Sequence, residues 1–385
     1  MIFSSMRDQF LKSLSHIKEG TLMLTLPDGS THGFSGQTPG SAVSMTITDW
    51  DVIPNLAQGG DSAFAKDYAM GKWHTDNLQN LIALALANES AVRDYLFGNV
   101  FTRILYNISY WFRTNTLRGS RKNIQAHYDL GNDFYQLWLD PSMTYSSALY
   151  RQGDESLTEA QHNKYDRIIE CLGTSGRTLE VGCGWGGYAE RALQRGDYDI
   201  KAITLSDQQH LYAQTRLKGN ANIALEDYRL QTGKYDHIVS IEMFEAVGEK
   251  YWKTYFEKIS SLLKEGGTAL VQTITIDDKL FESYRTGQDF VRSHIFPGGM
   301  LPSAERFAHH AQKAGLRVNT ALNFGLDYAR TLENWLHNFD QQYEAVKQLG
   351  YDEKFIRMWR FYLAGCAAAF QIRRTDVYQF ELQHG

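Results

Sequence analysis

A carboxylate, Glu180, stands two residues ahead of a run of close-set glycines in Leu179-Glu-Val-Gly-Cys-Gly-Trp-Gly-Gly187. Glycines let a backbone turn sharply and come close to a ligand. Gly182, Gly184 and Gly187 satisfy the G-x-G-x-x-G spacing, which taken alone suits a dinucleotide. Glu180 argues otherwise: a carboxylate at a strand end repels an anionic pyrophosphate and tolerates or favours a cationic methionyl group. The motif therefore points to S-adenosyl-L-methionine (SAM). The plainer alternative is an incidental glycine-rich strand-to-helix turn.

Such a motif needs a strand before it and a helix after it, and the pattern from Arg177 onward supplies both. The strand Thr178–Val181 leads into a helix through Leu193, followed by strand Ile200–Leu205 and helix Gln208–Leu217. Strand Tyr235–Ile241, a helix around Lys250–Leu263 and strand Thr268–Ile276 complete the alternation. That order predicts an α/β fold: a doubly wound, mostly parallel sheet of the Rossmann-like class I SAM-dependent methyltransferase type, with its ligand at the carboxyl ends of the strands. The second strand ends in Thr204-Leu-Ser-Asp-Gln-Gln209, with hydroxyl and amide groups where many SAM enzymes place a ribose-binding acid.

Ahead of this unit, Gly20–Leu26 and Ala42–Thr48 alternate as strands around the turn Pro27-Asp-Gly-Ser, with helical patterns on to Leu86. The first residues form an amphipathic helix. The expected organisation is a small N-terminal α+β domain over 1–98, a connector over 99–122 and a catalytic domain over 123–385. The connector lies in an interval, Asp94 to Asp129, without an acidic residue between its ends. It sets Arg103, Arg113, Arg118, Arg121 and Lys122 among Phe101, Tyr106, Tyr110, Trp111 and Phe112. A basic, aromatic, partly helical segment suits an anionic membrane surface; a linker packed on a neighbouring domain explains it equally well.

The net charge of −5 weighs against nucleic-acid binding. Cys171, Cys183 and Cys366 lack metal-ligand spacing and suit a reducing compartment. His127 and His294 have no companions spaced to join them, so no metal is expected. No apolar run is long enough to span a bilayer, and a cytoplasmic protein is expected.

Several segments in order then resemble one family: His127-Tyr-Asp-Leu-Gly-Asn-Asp133, Tyr145-Ser-Ser-Ala148, the glycine motif, Thr204 to Gln209, Glu242-Met-Phe-Glu-Ala-Val-Gly248, Ile295-Phe-Pro-Gly-Gly299 with Leu301-Pro-Ser303, and Tyr328 ahead of Thr331-Leu-x-x-Trp335. The chain resembles the cyclopropane-fatty-acyl-phospholipid synthase family, which includes the mycolic acid cyclopropane synthases. The resemblance implies SAM-dependent methylene transfer to the cis double bond of unsaturated phospholipid acyl chains. It places cofactor contacts on Tyr145, Ser146, Gly182, Gly184, Thr204 and Gln209, beside Glu180, with Asp227 and Tyr228 on the adenine side. It also implies a bound bicarbonate as proton acceptor, held by Glu245, Tyr328 and the main chain of Ile274, with Ser147 and Gln272 where the family has a cysteine and a histidine.

An alkene is a weak nucleophile, and its attack on a sulfonium methyl leaves a carbocation that water would quench. The site must therefore be dry, and ring closure needs a base. Glu245 is expected to hold the anion or act as that base, with Tyr328, Gln272 and Ser147 completing the cradle. Serine and glutamine donate hydrogen bonds but carry no charge. Bicarbonate use and ring closure therefore stay open, and the alternative is a fatty-acyl methyltransferase giving methyl- or methylene-branched chains. A non-catalytic lipid-binding homologue is a third reading. Peripheral contact with the inner face of the membrane is expected, and pairing of two chains by analogy. The aromatics Trp335, Phe339, Trp359, Phe361, Tyr362 and Phe370 are expected in the core, some lining an acyl tunnel.

Overall fold

The computed structural model describes residues 2–89, 130–287 and 289–385. The connector over 99–122 and His127 lie outside the described residues.

The chain opens with helix α1 (Ile2–Leu14) and the hairpin of β1 (Glu19–Thr25) and β2 (Thr31–Ser35). Asp28 closes the hairpin turn by accepting from both the N–H and the hydroxyl of Ser30, at 3.0 and 2.6 Å. Strand β3 (Thr38–Ile47) runs parallel to β1, and β4 (Trp73–Thr75) pairs antiparallel with β3, giving the order β2-β1-β3-β4. Leu22 and Leu24 on β1 and Val43, Met45 and Ile47 on β3 alternate inward, so one sheet face is apolar. Helices α2 (Val52–Ala69) and α3 (Leu78–Ala87) complete this α+β unit.

The second unit has α4 (Asn132–Gln136) and α5 (Leu157–Leu172), the latter started by a capping box in which Ser156 and Glu159 satisfy each other's backbone N–H. Next come β5 (Ser175–Val181), α6 (Gly187–Arg195), β6 (Asp197–Thr204), α7 (Asp207–Leu217), β7 (Asn222–Leu225) and β8 (Tyr235–Ile241). They lead on to α8 (Trp252–Leu262), β9 (Leu263–Ile276), α9 (Phe281–Thr286), α10 (Ala304–Lys313) and β10 (Leu316–Asn323). Helices α11 (Gly325–Gln341), α12 (Tyr343–Gln348) and α13 (Glu353–Gln371) precede the last strand, β11 (Thr375–His384).

The sheet order is β7-β6-β5-β8-β9-β11-β10. The first five are parallel, while β11 runs antiparallel between β9 and β10. The order reverses at β5, so the crevice over the ends of β5, β6 and β8 is where such sheets bind ligands.

The N-terminal unit is no loose appendage. Phe10, Leu24, Trp73 and Leu84 share one buried cluster with Trp335, Trp359, Phe361 and Phe370 of the second unit. Helix α13 is the seam. Its Phe361 ring meets those of Phe64 and Trp73 edge-on at 6.4 Å, and Arg357 donates to the Tyr68 carbonyl at 2.6 Å. No helix among the described residues is long and apolar enough to cross a membrane.

Candidate active site

Strand β5 delivers Glu180 into the interior and then turns through Gly182 and Gly184, whose φ angles of 82° and 53° favour glycine. A Cβ on Gly182 would come within 2.9 Å of the Met243 side chain, whereas one on Gly184 would meet nothing within 4 Å. The backbone there is bare because the space above it is open. Glu180 is buried, its Oε2 has no hydrogen-bond partner among the described residues, and burial pushes its carboxyl up to about 8 against the pull of Arg216. An orphaned buried carboxyl oxygen beside an open glycine turn fits a ligand that brings positive charge.

The other predicted cofactor residues face the same cavity, which has a volume of 1260 Å³. Thr204 donates its hydroxyl to Gln209 at 2.8 Å, and Asp227 holds Arg229 at 2.6 Å. Tyr228 is buried next to them. The Tyr145 hydroxyl meets that of Tyr362 at 2.7 Å. Ser146 accepts from the ammonium of Lys164 at 2.6 Å.

The predicted acid–base residues divide around two carboxyls. Glu245, on a short 3₁₀ turn (Phe244–Ala246), accepts from the Ile274 N–H through Oε1, and its Oε2 has no partner among the described residues. Burial, and then the neighbouring Glu242, push Glu245 up to about 8, so it is largely neutral at pH 7. The remaining donors do not gather around Glu245. They close on Glu242, three residues earlier in the chain. Glu242 Oε1 accepts from the Ser147 N–H at 2.8 Å and from Gln272 Nε2 at 2.8 Å, while Oε2 accepts from the Tyr328 hydroxyl at 2.6 Å. The cradle expected around an anion beside Glu245 thus holds a carboxyl of the chain itself. Ser147 contributes its backbone, since its hydroxyl turns away to the Ala148 carbonyl at 2.9 Å.

The Gln272 amide has one orientation, and its neighbours explain why. Gln379 lies directly opposite Gln272 across the β9–β11 ladder. Arg167 donates to Gln379 Oε1 at 2.5 Å, and Gln379 Nε2 donates to Gln272 Oε1 at 2.9 Å. A guanidinium can only donate, so each amide oxygen faces back along the chain and the Gln272 NH₂ must face Glu242. Burial pushes the Glu242 carboxyl up; Tyr328, Lys164, Ser147 and Gln272 oppose it. Lys164, fully buried, is pushed down to about 7 by burial.

Glu242 sits just past the end of β8 at φ 48°, a left-handed conformation uncommon for a side chain-bearing residue. Sequence reasoning assigned no role to Glu242, Lys164, Arg167 or Gln379. For Lys164 a signal was available: with Ala160 and Ile168 it repeats every fourth residue on the apolar face of α5. Phe361, Tyr362 and Phe370 line the cavity, while Trp335, Phe339 and Trp359 are buried in the core. Among the described residues, no group of three or more His, Cys, Asp or Glu is placed to hold a metal ion.

A model of the mycolic acid cyclopropane synthetase family matches residues 115–380. The chain belongs to that family. It is 34% identical over 388 residues to the tuberculostearic acid methyltransferase UfaA1 of Mycobacterium tuberculosis H37Rv, covering 94% of this chain and 87% of the relative. It is 33% identical to the cyclopropane-fatty-acyl-phospholipid synthase of Escherichia coli K12, over 90% of this chain and 89% of that protein. The solved mycolic acid cyclopropane synthase CmaA1, complexed with SAH and CTAB, superposes with a TM-score of 0.65 at 32% identity, over 68% of this chain and 98% of that one. This chain is an enzyme with the class I SAM-dependent methyltransferase fold, and its cofactor is SAM.

Proposed function

We propose that this enzyme transfers a one-carbon unit from SAM to the double bond of unsaturated phospholipid acyl chains, forming cyclopropane fatty acids. The observation that carries the reading is the cavity. It runs from the glycine turn past Glu242, Glu245 and Tyr328 into the N-terminal unit, where Leu14, Leu22, Met45, Leu81 and Leu84 line it. A polar reaction end continuous with a long apolar end suits a hydrocarbon tail whose double bond stops at the carboxyls. The name of the E. coli relative agrees with the phospholipid substrate and the cyclopropane product, and that of CmaA1 with the cyclopropane product alone.

When bound, SAM supplies an electrophilic methyl group on a sulfonium. Glu180, ionised, would face the cationic methionyl end, and Tyr145, Ser146, Thr204, Gln209, Asp227 and Tyr228 would complete the pocket. Tyr362 and Phe370 keep water from the reacting carbon and present ring faces to a passing cation. The acid–base work falls to the buried carboxyls, with Ile274, Gln272, Ser147 and Tyr328 as their donors. The enzyme would meet its lipid from the cytoplasmic side of the membrane, in peripheral contact.

A second reading is a methyl- or methylene-branched product at the same site. The 34% identity to UfaA1 over nearly the whole chain favours it, as do the uncharged Ser147 and Gln272. Purified enzyme given methyl-labelled SAM and vesicles of monounsaturated phosphatidylethanolamine should move label into the acyl chain. A labelled chain inert to ozone is the cyclopropane; one that ozone cleaves is the branched alkene. Absence of label from every unsaturated lipid would overturn the proposal. Met45→Trp, which fills the apolar end, should lower transfer to an 18-carbon chain at least about tenfold while leaving SAM affinity unchanged in a calorimetric titration.

A further inference from the structure

We propose that the carboxylate of Glu242 is the proton acceptor of the one-carbon transfer, built into the chain where an anion from solution would otherwise be needed. The inference rests on the proposed function for its reaction and on the geometry of Glu242 for its residue. Three donors from segments distant in sequence converge on this carboxyl: the Ser147 N–H of a loop, the Gln272 amide on β9 and the Tyr328 hydroxyl on α11. Arg167 and Gln379 lock Gln272 so that it offers a donor. A set of groups that all donate is a receptor for negative charge. Glu242 meets these donors from a left-handed backbone at φ 48°, and it lines the cavity together with Tyr328 and the glycine turn.

A carboxyl that merely tied strands together would not need to face that cavity. Glu245, beside it, receives one N–H and is largely neutral at pH 7. With three donors on Glu242 and one N–H on Glu245, the geometry makes Glu242 the better seat for negative charge of the two.

The alkene's π pair forms a bond to the methyl carbon, and the carbon–sulfur pair returns to sulfur, leaving a neutral thioether and a cation on the adjacent chain carbon. Glu242 takes a proton. If it comes from the new methyl, the freed C–H pair closes the three-membered ring. If it comes from a neighbouring chain carbon, that pair becomes a double bond and the product is a branched alkene. Either way Glu242 ends as the neutral acid and returns its proton to water after product release.

Glu242→Gly tests this, because glycine takes a left-handed φ without strain and leaves a carboxylate-sized space among the donors. Wild-type enzyme should keep its rate when bicarbonate is stripped from buffer and headspace. The variant should unfold at a temperature close to wild type and lose about 10³-fold in turnover. It should regain at least tenfold on adding bicarbonate or acetate. Titrated without SAM or lipid, it should bind acetate saturably in calorimetry, where wild type binds none. Turnover of the variant near the wild-type rate without added anion, a folded variant that binds no acetate, or a wild type that stops without bicarbonate would each overturn the inference. Wild-type inactivity on every unsaturated lipid would sink the proposed function instead, and the acetate titration would still report on the cradle.

Discussion

Glu242→Gln is expected to lower acyl-chain turnover about 10³-fold, the range for losing a positioned general base. The amide keeps the size of the carboxyl but replaces an acceptor oxygen with an NH₂ that must confront the Ser147 N–H, the Gln272 NH₂ or the Tyr328 hydroxyl. The wild-type pH profile supplies a finer test. A base works ionised, so kcat/KM should rise with pH through the Glu242 pKa. Groups from every side set that pKa: Tyr328, Lys164, Ser147 and Gln272 pull it down against burial, and Glu245 lies next to it. Tyr328→Phe removes one of the stabilising donors, so its rising limb should move to higher pH. An unmoved limb would remove Tyr328 from this role. Steady-state rates of label transfer, followed across the pH range in which the enzyme stays folded, decide it.

The second large effect concerns Glu180. In the free enzyme burial holds its carboxyl near 8, so at pH 7 it is mostly neutral, while a seated methionyl cation favours the ionised form. SAM binding should therefore release a proton. Affinity should climb by up to about tenfold per pH unit below 8 and level off above it. Glu180→Gln should bind SAM about 10- to 100-fold more weakly at pH 8.5, with little dependence on pH. Calorimetry in buffers of different ionisation enthalpy reads the affinity and the proton count together. Stability moves the opposite way. The folded carboxyl keeps a proton that the unfolded chain loses above about pH 4.5, so the free enzyme loses stability as pH rises from there to about 8; Glu245 contributes in the same direction, and Glu180→Gln should reduce that slope by its own share. A slope unchanged in the variant would assign it to another group.

Much of the catalytic unit was legible in the residues. The alternation after Arg177 marks β5, β6, β8 and β9, because strand–helix order and apolar periodicity are local properties. The glycines and Glu180 are readable for the same reason: a sharp turn and an unusual acid both belong to one short segment. The antiparallel β11 between β9 and β10 was not foreseen, since a strand's neighbours depend on contacts remote in sequence.

The same reason separates the two carboxyls. The family resemblance singled out Glu245, Tyr328, Gln272, Ser147 and Ile274 as a group, yet spacing within Glu242-Met-Phe-Glu245 does not say which acid the donors meet. That depends on the left-handed turn at Glu242, on the register that sets Gln379 against Gln272, and on α11 bringing Tyr328 in from 86 residues away. The union of the N-terminal unit with α13, which extends the apolar end of the cavity, is likewise a long-range packing event. By itself the chain determined its sheet, its cofactor turn and its stock of acids and donors, all written in neighbouring residues. Which acid those donors hold, and how deep the cavity beside it runs, was decided only when segments distant in sequence met, because hydrogen-bond direction and burial exist only between groups that folding brings together.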